Sequence, residues 1–400
     1  MSGPLDGIKV LDMSRILAGP WAGQLLGDYG AEVLKIERPS VGDDTRHWGP
    51  PWLGGEEGGE SAYFLSTNRN KQSITIDISH ADGQRVVRAL TEKSDVLIEN
   101  FRVGTMARFG LGADELTEAN PGLVYCSISA YGQHGSKAHE PGYDAMIQAS
   151  AGLMSITGEA DGSPQKVGVA VSDIMAGMYA TTAILAALHE RERSGKGQCI
   201  DVPLYDSQVA WLANQAANFL IGGDIPKRRG SAHPNLVPYQ TFETSDGYVT
   251  VAVGNDDQFA ACATCVGHAE LASDARFKRN SDRVRNRDEL VALLGAKLKT
   301  RTTEEWLQAL NAAGVPAGPI SSIDSVLTDS YAQERQLVRK MAHALDDEMP
   351  TVANPVGFSR TPVCYESAPP VLGQHTVSVL RRWLNYSDAE IAGLVSAGTI

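Results

Sequence analysis

The carboxylate best placed for chemistry is Asp173. It stands between an alternating apolar run, Val167 to Ser172, and a long apolar helical pattern from Ile174 to about Arg193, closed by Gly195. At the end of a strand and the start of a helix, a carboxylate can do two things. It can cap the helix by accepting first-turn amide hydrogen bonds. It can also attack a carbonyl carbon, because α/β sheets place their ligands at the carboxyl ends of strands. The two uses are compatible. The helix dipole favours the ionised form, and the same amides can hold a developing oxyanion. Asp144, in Pro141-Gly-Tyr-Asp144, enters a second helical pattern and carries the same pair of readings. Arg38 ends a predicted strand, where its guanidinium suits a phosphate or is a plain surface charge. His134 and His139 sit in one loop, and His233 lies beside Arg228 and Arg229 in a basic cluster. That cluster can face a carboxylate or simply solvate a linker.

Other motifs argue by what they lack. The first strand-to-helix turn, Ser14-Arg-Ile-Leu-Ala-Gly-Pro20, offers only Gly19. A dinucleotide turn needs three glycines for close approach to pyrophosphate, and Pro20 removes an amide donor. Cys262-Ala-Thr-Cys265 has no second cysteine pair to complete a zinc set, and it falls in a helical pattern. Neither a metal nor a nicotinamide cofactor is expected.

These residues need a scaffold, and the first half of the chain supplies one. Ile8 to Met13, Ala31 to Glu37, Ser73 to Ile78, Asp95 to Glu99 and Gly122 to Ser129 read as strands, with helical patterns among them. Val167 to Ser172 is a further candidate strand. Alternating strands and helices predict an α/β fold with a parallel sheet covered on both faces. Two alternating runs flank Ser245-Asp-Gly247 and predict a hairpin, followed by helical segments at 256–271, 287–299 and 303–313. The expected organisation is a large domain over 1–223, a small α+β domain over 224–320, and a return to the large domain over 321–400.

Composition sets the outer limits. Lys+Arg 35 against Asp+Glu 48 leaves a net charge of −13, which disfavours nucleic acid and anionic membrane surfaces as partners. Hydrophobic residues at 42% and charged residues at 21% fit a globular chain. Five cysteines are too few, and odd in number, for a disulfide framework. The longest apolar stretch, Ile174 to Leu188, is shorter than the roughly 20 residues of a membrane span. The first residues show neither a basic n-region nor an apolar h-region, so a cytoplasmic protein is expected.

Taken in order and spacing, several segments resemble the class III CoA-transferases. They are Pro4-Leu-Asp-Gly-Ile-Lys-Val-Leu-Asp12, Leu17-Ala-Gly-Pro20, Gly30-Ala-Glu-Val-Leu-Lys-Ile-Glu-Arg-Pro39, Gly42-Asp43, Asn68-Arg-Asn-Lys-Gln-Ser-Ile74, Asp95-Val-Leu-Ile-Glu-Asn-Phe101, Ser172-Asp173 with Gly177, Gly195-Lys-Gly-Gln198 and Leu372-Gly-Gln-His375. The resemblance implies a Rossmann-like large domain built from both chain ends and an interlocked homodimer. It implies that Asp173 attacks an acyl-CoA thioester, with Asp144 near the resulting anhydride. CoA, the substrate, would lie against Leu17, Ala18, Arg38, Ile76, Asp77, Ile78, Ser79, Asn100, Phe101 and Arg108, with Arg38 and Arg108 on phosphates. Glu140 to Tyr143 would line the thioester end.

Departures narrow the substrate. The formyl-CoA enzymes carry Gln at the position of Leu17 and a glycine run where this chain has Arg229-Gly-Ser-Ala-His-Pro234. The racemase cousins carry Gly-His-Asp in place of Gly142-Tyr143-Asp144. The match is nearest to the dicarboxylate branch, which resembles the succinyl-CoA–glutarate and itaconate transferases. A dicarboxylate needs a cation for its distal carboxylate, and Arg15, Arg46 and His233 are the candidates. Two alternatives stay open. An α-methylacyl-CoA epimerase would exchange an α-proton without an acceptor acid, and a non-catalytic CoA-binding protein would form no adduct.

Overall fold

The computed structural model describes residues 3–400. Met1 and Ser2, part of the stretch in which a leader would be sought, lie outside the described residues. Two compact units are present. The larger takes the described residues up to Ala151, with Gly168–Trp211 and Ser330–Ile400; the smaller takes Gly152–Val167 and Leu212–Asp329.

In the larger unit six strands form one parallel sheet: β1 (Lys9–Asp12), β2 (Glu32–Glu37), β3 (Lys71–Thr75), β4 (Val96–Glu99), β5 (Val124–Ser129) and β6 (Cys199–Pro203). Their order is β3-β2-β1-β4-β5-β6. The winding reverses between β1 and β4, and the crevice beyond their carboxyl ends is where doubly wound sheets take ligands. Alternate residues face opposite layers. Val10, Val33, Val96, Ile98 and Val124 join one core, while Leu11, Leu34, Ile74, Leu97 and Tyr125 join the other. Burial on both faces is why these strands read as apolar runs.

Helices α1 (Ala18–Asp28), α2 (Ala81–Thr91), α3 (Asp144–Ser150), α4 (Val171–Ser194) and α5 (Leu204–Ala210) follow in chain order, with α6 (Thr376–Leu384) and α7 (Asp388–Ser396) near the end. α1 and α4 cover the first face, and α2, α6 and α7 cover the second. The unit is thus closed by segments from both ends of the chain. Near their starts α1 and α4 touch backbone to backbone. A Cβ at Gly177 would lie 2.6 Å from the Ala18 carbonyl oxygen, so only glycine fits there.

Three expectations need correction. The run Val167 to Ser172 forms no strand; α4 already begins at Val171. The sixth strand is instead Cys199–Pro203, an edge strand in which only Val202 is buried, so its pattern lacks an apolar signature. α4 is also longer than the apolar run suggests. At 24 residues it is long and apolar enough to cross a membrane by length and composition alone; 50% of its most apolar window is buried inside the protein, against α1 and the sheet. A hairpin of Val338–His343 with Asp346–Val352 was not foreseen, because Pro350 and the charged residues break the strand pattern.

The smaller unit holds the expected hairpin, Tyr239–Glu243 with Tyr248–Ala252, joined by a third antiparallel strand, Ala317–Pro319. Phe259, Cys262, Leu290, Leu294 and Trp306 from its helices fill the core over Val249 and Val251. Cys262 is therefore a packing residue.

Candidate active site

The loop after β1 is held at one polar group after another. The Ser14 amide donates to Asp12 Oδ1 at 3.0 Å, and its hydroxyl donates to the same oxygen. The Ser14 carbonyl accepts from Lys35 Nζ at 2.8 Å. The Arg15 amide donates to Asn100 Oδ1 at 2.9 Å, and Asn100 Nδ2 donates back to the Arg15 carbonyl at 2.6 Å. The Ile16 amide donates to Asp43 Oδ1 at 3.1 Å. Ile16 has φ of 72°, a left-handed conformation that a β-branched residue adopts only under constraint. Two fully buried ion pairs provide that constraint, Lys35–Asp43 at 2.9 Å and Lys71–Asp12 at 2.9 Å. Lys71 also donates to the Pro20 carbonyl at 2.8 Å, which ties β3 to the start of α1. Burial pushes the Lys71 pKa down to about 8 against the pull of Asp12. Burial also opposes ionisation of Asp12, but Lys71 and Lys35 outweigh it and hold that carboxyl below the usual range.

Asp173 is the third residue of α4 and not its cap. Ala170 stands at the N-cap and has no side-chain acceptor to offer. The capping role falls to Asp144, from another helix. Its Oδ1 accepts from the Ser172 amide at 2.8 Å and its Oδ2 from Gln148 Nε2 at 2.8 Å. On the other side, Ser172 Oγ donates to Gln208 Oε1 on α5 at 2.8 Å. Burial first, and the Asp144 charge second, push the Asp173 pKa up to about 7. Burial and a like charge thus oppose the ionisation that the helix dipole favours. Tyr63, on the short helix Ala62–Leu65, lies in the same field. Burial, then Asp173, Asp144 and Asp43, push its hydroxyl up to about 12, so it is a neutral donor. No motif in the sequence singles out Tyr63, Gln148 or Gln208.

Asp173 lines a pocket at the switch point, with Arg15, Leu17 and Ala18 after β1, Asn100 and Phe101 after β4, and Glu140 and Tyr143 from the loop before α3. The other sequence candidates lie elsewhere. Arg38 does not line the pocket but is bonded to Asp44 at 2.9 Å, and Asp44 lines the pocket while holding Arg15 at 2.7 Å. Ile76 is a core residue at 2% exposure, and Ile78 packs against the same core. The Asp77 carboxylate accepts from the Ser79 amide at 2.8 Å and hydroxyl at 2.7 Å. Arg108 is exposed on the short helix Thr105–Arg108, over the Phe109 ring at 4.9 Å. Asp144 is buried and does not line the pocket.

Arg46 is closed to substrate. Nε and Nη2 grip Glu37 at 2.8 Å each, Nη1 reaches Glu60 at 2.7 Å, and the group is buried over Phe64. A guanidinium with its donors satisfied in the core has none left for a distal carboxylate. His233 belongs to the smaller unit. Its Nδ1 accepts from the Asn235 amide at 3.0 Å and the Leu236 amide at 3.1 Å, which leaves Nε2 to carry the proton.

Such an arrangement defines a doubly wound α/β protein whose ligand crevice carries a carboxylate where dinucleotide enzymes carry a glycine-rich turn. The chain belongs to CoA-transferase family III, whose sequence model matches residues 5–376, and it is a CoA-transferase. It is 43% identical over 397 residues to the succinyl-CoA:glutarate CoA-transferase of Mus musculus, covering 99% of this chain and 90% of that protein. It is 44% identical over 379 residues to the succinate–glutarate CoA-transferase of Agrobacterium fabrum, covering 94% and 95% respectively. A solved CaiB/BaiF family protein from Brucella suis matches with a TM-score of 0.85 at 45% identity, over 96% of this chain and 100% of that one.

Proposed function

We propose that the enzyme moves CoA from succinyl-CoA to a free dicarboxylic acid through covalent intermediates on Asp173. An Asp173 oxygen attacks the thioester carbonyl, the C–S bond breaks, and CoA leaves as thiolate from a mixed anhydride. The thiolate then attacks the Asp173 carbonyl carbon and releases the donor acid, which leaves an aspartyl-CoA thioester. The acceptor carboxylate attacks that thioester, CoA departs again, and the thiolate takes the new acyl group and frees Asp173. One difficult exchange becomes steps that each form and break a single acyl bond. The observation that carries this reading is the presence of Asp173 in one pocket with the loops after β1 and β4. The names of the relatives support the dicarboxylate. Two arginines line the pocket, Arg15, which is paired with Asp44, and Arg102, and either can meet the distal carboxylate; Arg38, on the other side of Asp44, is the candidate for a CoA phosphate. Incubation with succinyl-CoA, quenching with hydroxylamine or borohydride, and peptide mass mapping should place the modification on the peptide holding Asp173. A modification on any other peptide overturns the mechanism.

The same reading includes a homodimer. On the helix Ala213–Gly222, Phe219, Leu220 and Ile221 are 48%, 78% and 89% exposed, a surface suited to a second copy of the chain. Sedimentation should give twice the chain mass, and a stable monomer at micromolar concentration removes this part.

A further inference from the structure

We infer that Gln208 is a positioning residue for the nucleophile, acting through Ser172; the inference rests on the proposed role of Asp173. The first turn of α4 has no acceptor of its own at the N-cap. It is gripped from outside on two sides. Asp144 on α3 takes the Ser172 amide at 2.8 Å, and Gln208 on α5 takes the Ser172 hydroxyl at 2.8 Å. Ser172 and Gln208 are both 0% exposed, and neither lines the pocket, so neither touches substrate. Between them they fix the rotation of the turn, and with it the direction in which the next side chain, Asp173, points.

Gln208 also carries a fault that its position explains. Its Nε2 is buried with no hydrogen-bond partner among the described residues. An unpaired buried donor destabilises a fold, and an apolar side chain of similar shape would avoid it. The amide gains nothing for stability from that end. The gain is at the other end, in the acceptor that holds Ser172. Local instability retained next to a reacting group is what a functional constraint produces.

The test compares Gln208→Met, Gln208→Glu, Ser172→Ala and the Gln208→Met/Ser172→Ala double variant in the full-length protein. The measured quantity is the single-turnover rate of adduct formation at Asp173 with succinyl-CoA, followed by mass. Gln208→Met should fold, keep its KM for succinyl-CoA, and form the adduct about 10- to 100-fold more slowly, the effect of a small misplacement. Gln208→Glu, which keeps the acceptor, should recover most of the rate. Ser172→Ala should slow the reaction comparably, and the double variant should be no slower than either single one, because both remove the same contact. If wild type forms its adduct at Asp173 and Gln208→Met matches its rate, or if the two substitutions simply add, the inference fails alone. If wild type forms its adduct elsewhere, the Asp173 reading fails and takes this one with it.

Discussion

At pH 8, Asp173→Asn should melt above the wild-type protein while losing CoA exchange by about 10⁴-fold or more, as expected for a missing nucleophile. The loss of activity follows from the absence of a carboxylate to acylate. The gain in stability follows from linkage. A carboxyl group whose pKa is raised on folding stabilises the fold fully below its unfolded value near 4, and that contribution is lost as pH rises through the folded value. For Asp173 the folded value is about 7, raised by burial and then by Asp144. At pH 8 the wild type holds an ionised group in a site that resists it, and asparagine is neutral at every pH. The difference in melting temperature should therefore be largest at pH 8 and shrink towards pH 4. In the wild type, kcat/KM should rise with pH through about 7, as Asp173 loses its proton. Calorimetry across this range, with binding of free CoA as a check on folding, tests both halves. A variant that melts below wild type by the same margin at every pH contradicts the electrostatic account.

Lys35→Met should be destabilised by about 3–5 kcal/mol, the usual result of removing one partner from a buried ion pair. Lys35 is fully buried, pairs with Asp43 at 2.9 Å and donates to the Ser14 carbonyl at 2.8 Å. Without it Asp43 and Asp12 remain in the interior with less positive charge beside them, and the loop carrying strained Ile16 loses its anchor. The sign with pH is opposite to that of Asp173. Burial opposes ionisation of Asp43, but Lys35 outweighs it and holds the carboxyl below its ordinary range. That contribution is present above the unfolded pKa near 4 and is lost as pH falls through the folded value. The deficit of Lys35→Met should thus be full at pH 7 and shrink at acid pH, where the stranded carboxylates take up protons. Because Ile16 and Leu17 line the pocket, the KM for acyl-CoA should also rise. A variant with wild-type stability at pH 7 shows that the pair is not needed to hold this loop.

How far the molecule could be read from its sequence differs between kinds of information. Strand and helix positions in the first half follow from apolar alternation, since both faces of β1, β2, β4 and β5 are buried. The hairpin at Asp246-Gly247 follows from turn chemistry. Where burial is one-sided or slight, as in β6 or in Val338–His343, the pattern fades and the strand is missed. Arg46 shows the same limit for a single residue. Nothing near it in the chain indicates that Glu37 and Glu60 will close around it.

What the sequence alone determined is local in origin: the layered α/β fold, the family motifs, and a carboxylate in the first turn of a long helix. The tertiary structure decided what that carboxylate experiences. Asp144, 28 residues from Ser172 in the chain, caps the helix, and Gln208, 36 residues away on the other side, grips its first turn. Burial and the Asp144 charge then raise the proton affinity of Asp173. Periodicity reports which way a side chain faces. Hydrogen bonds and Coulomb fields depend on distances between groups remote in sequence, and only folding sets those distances.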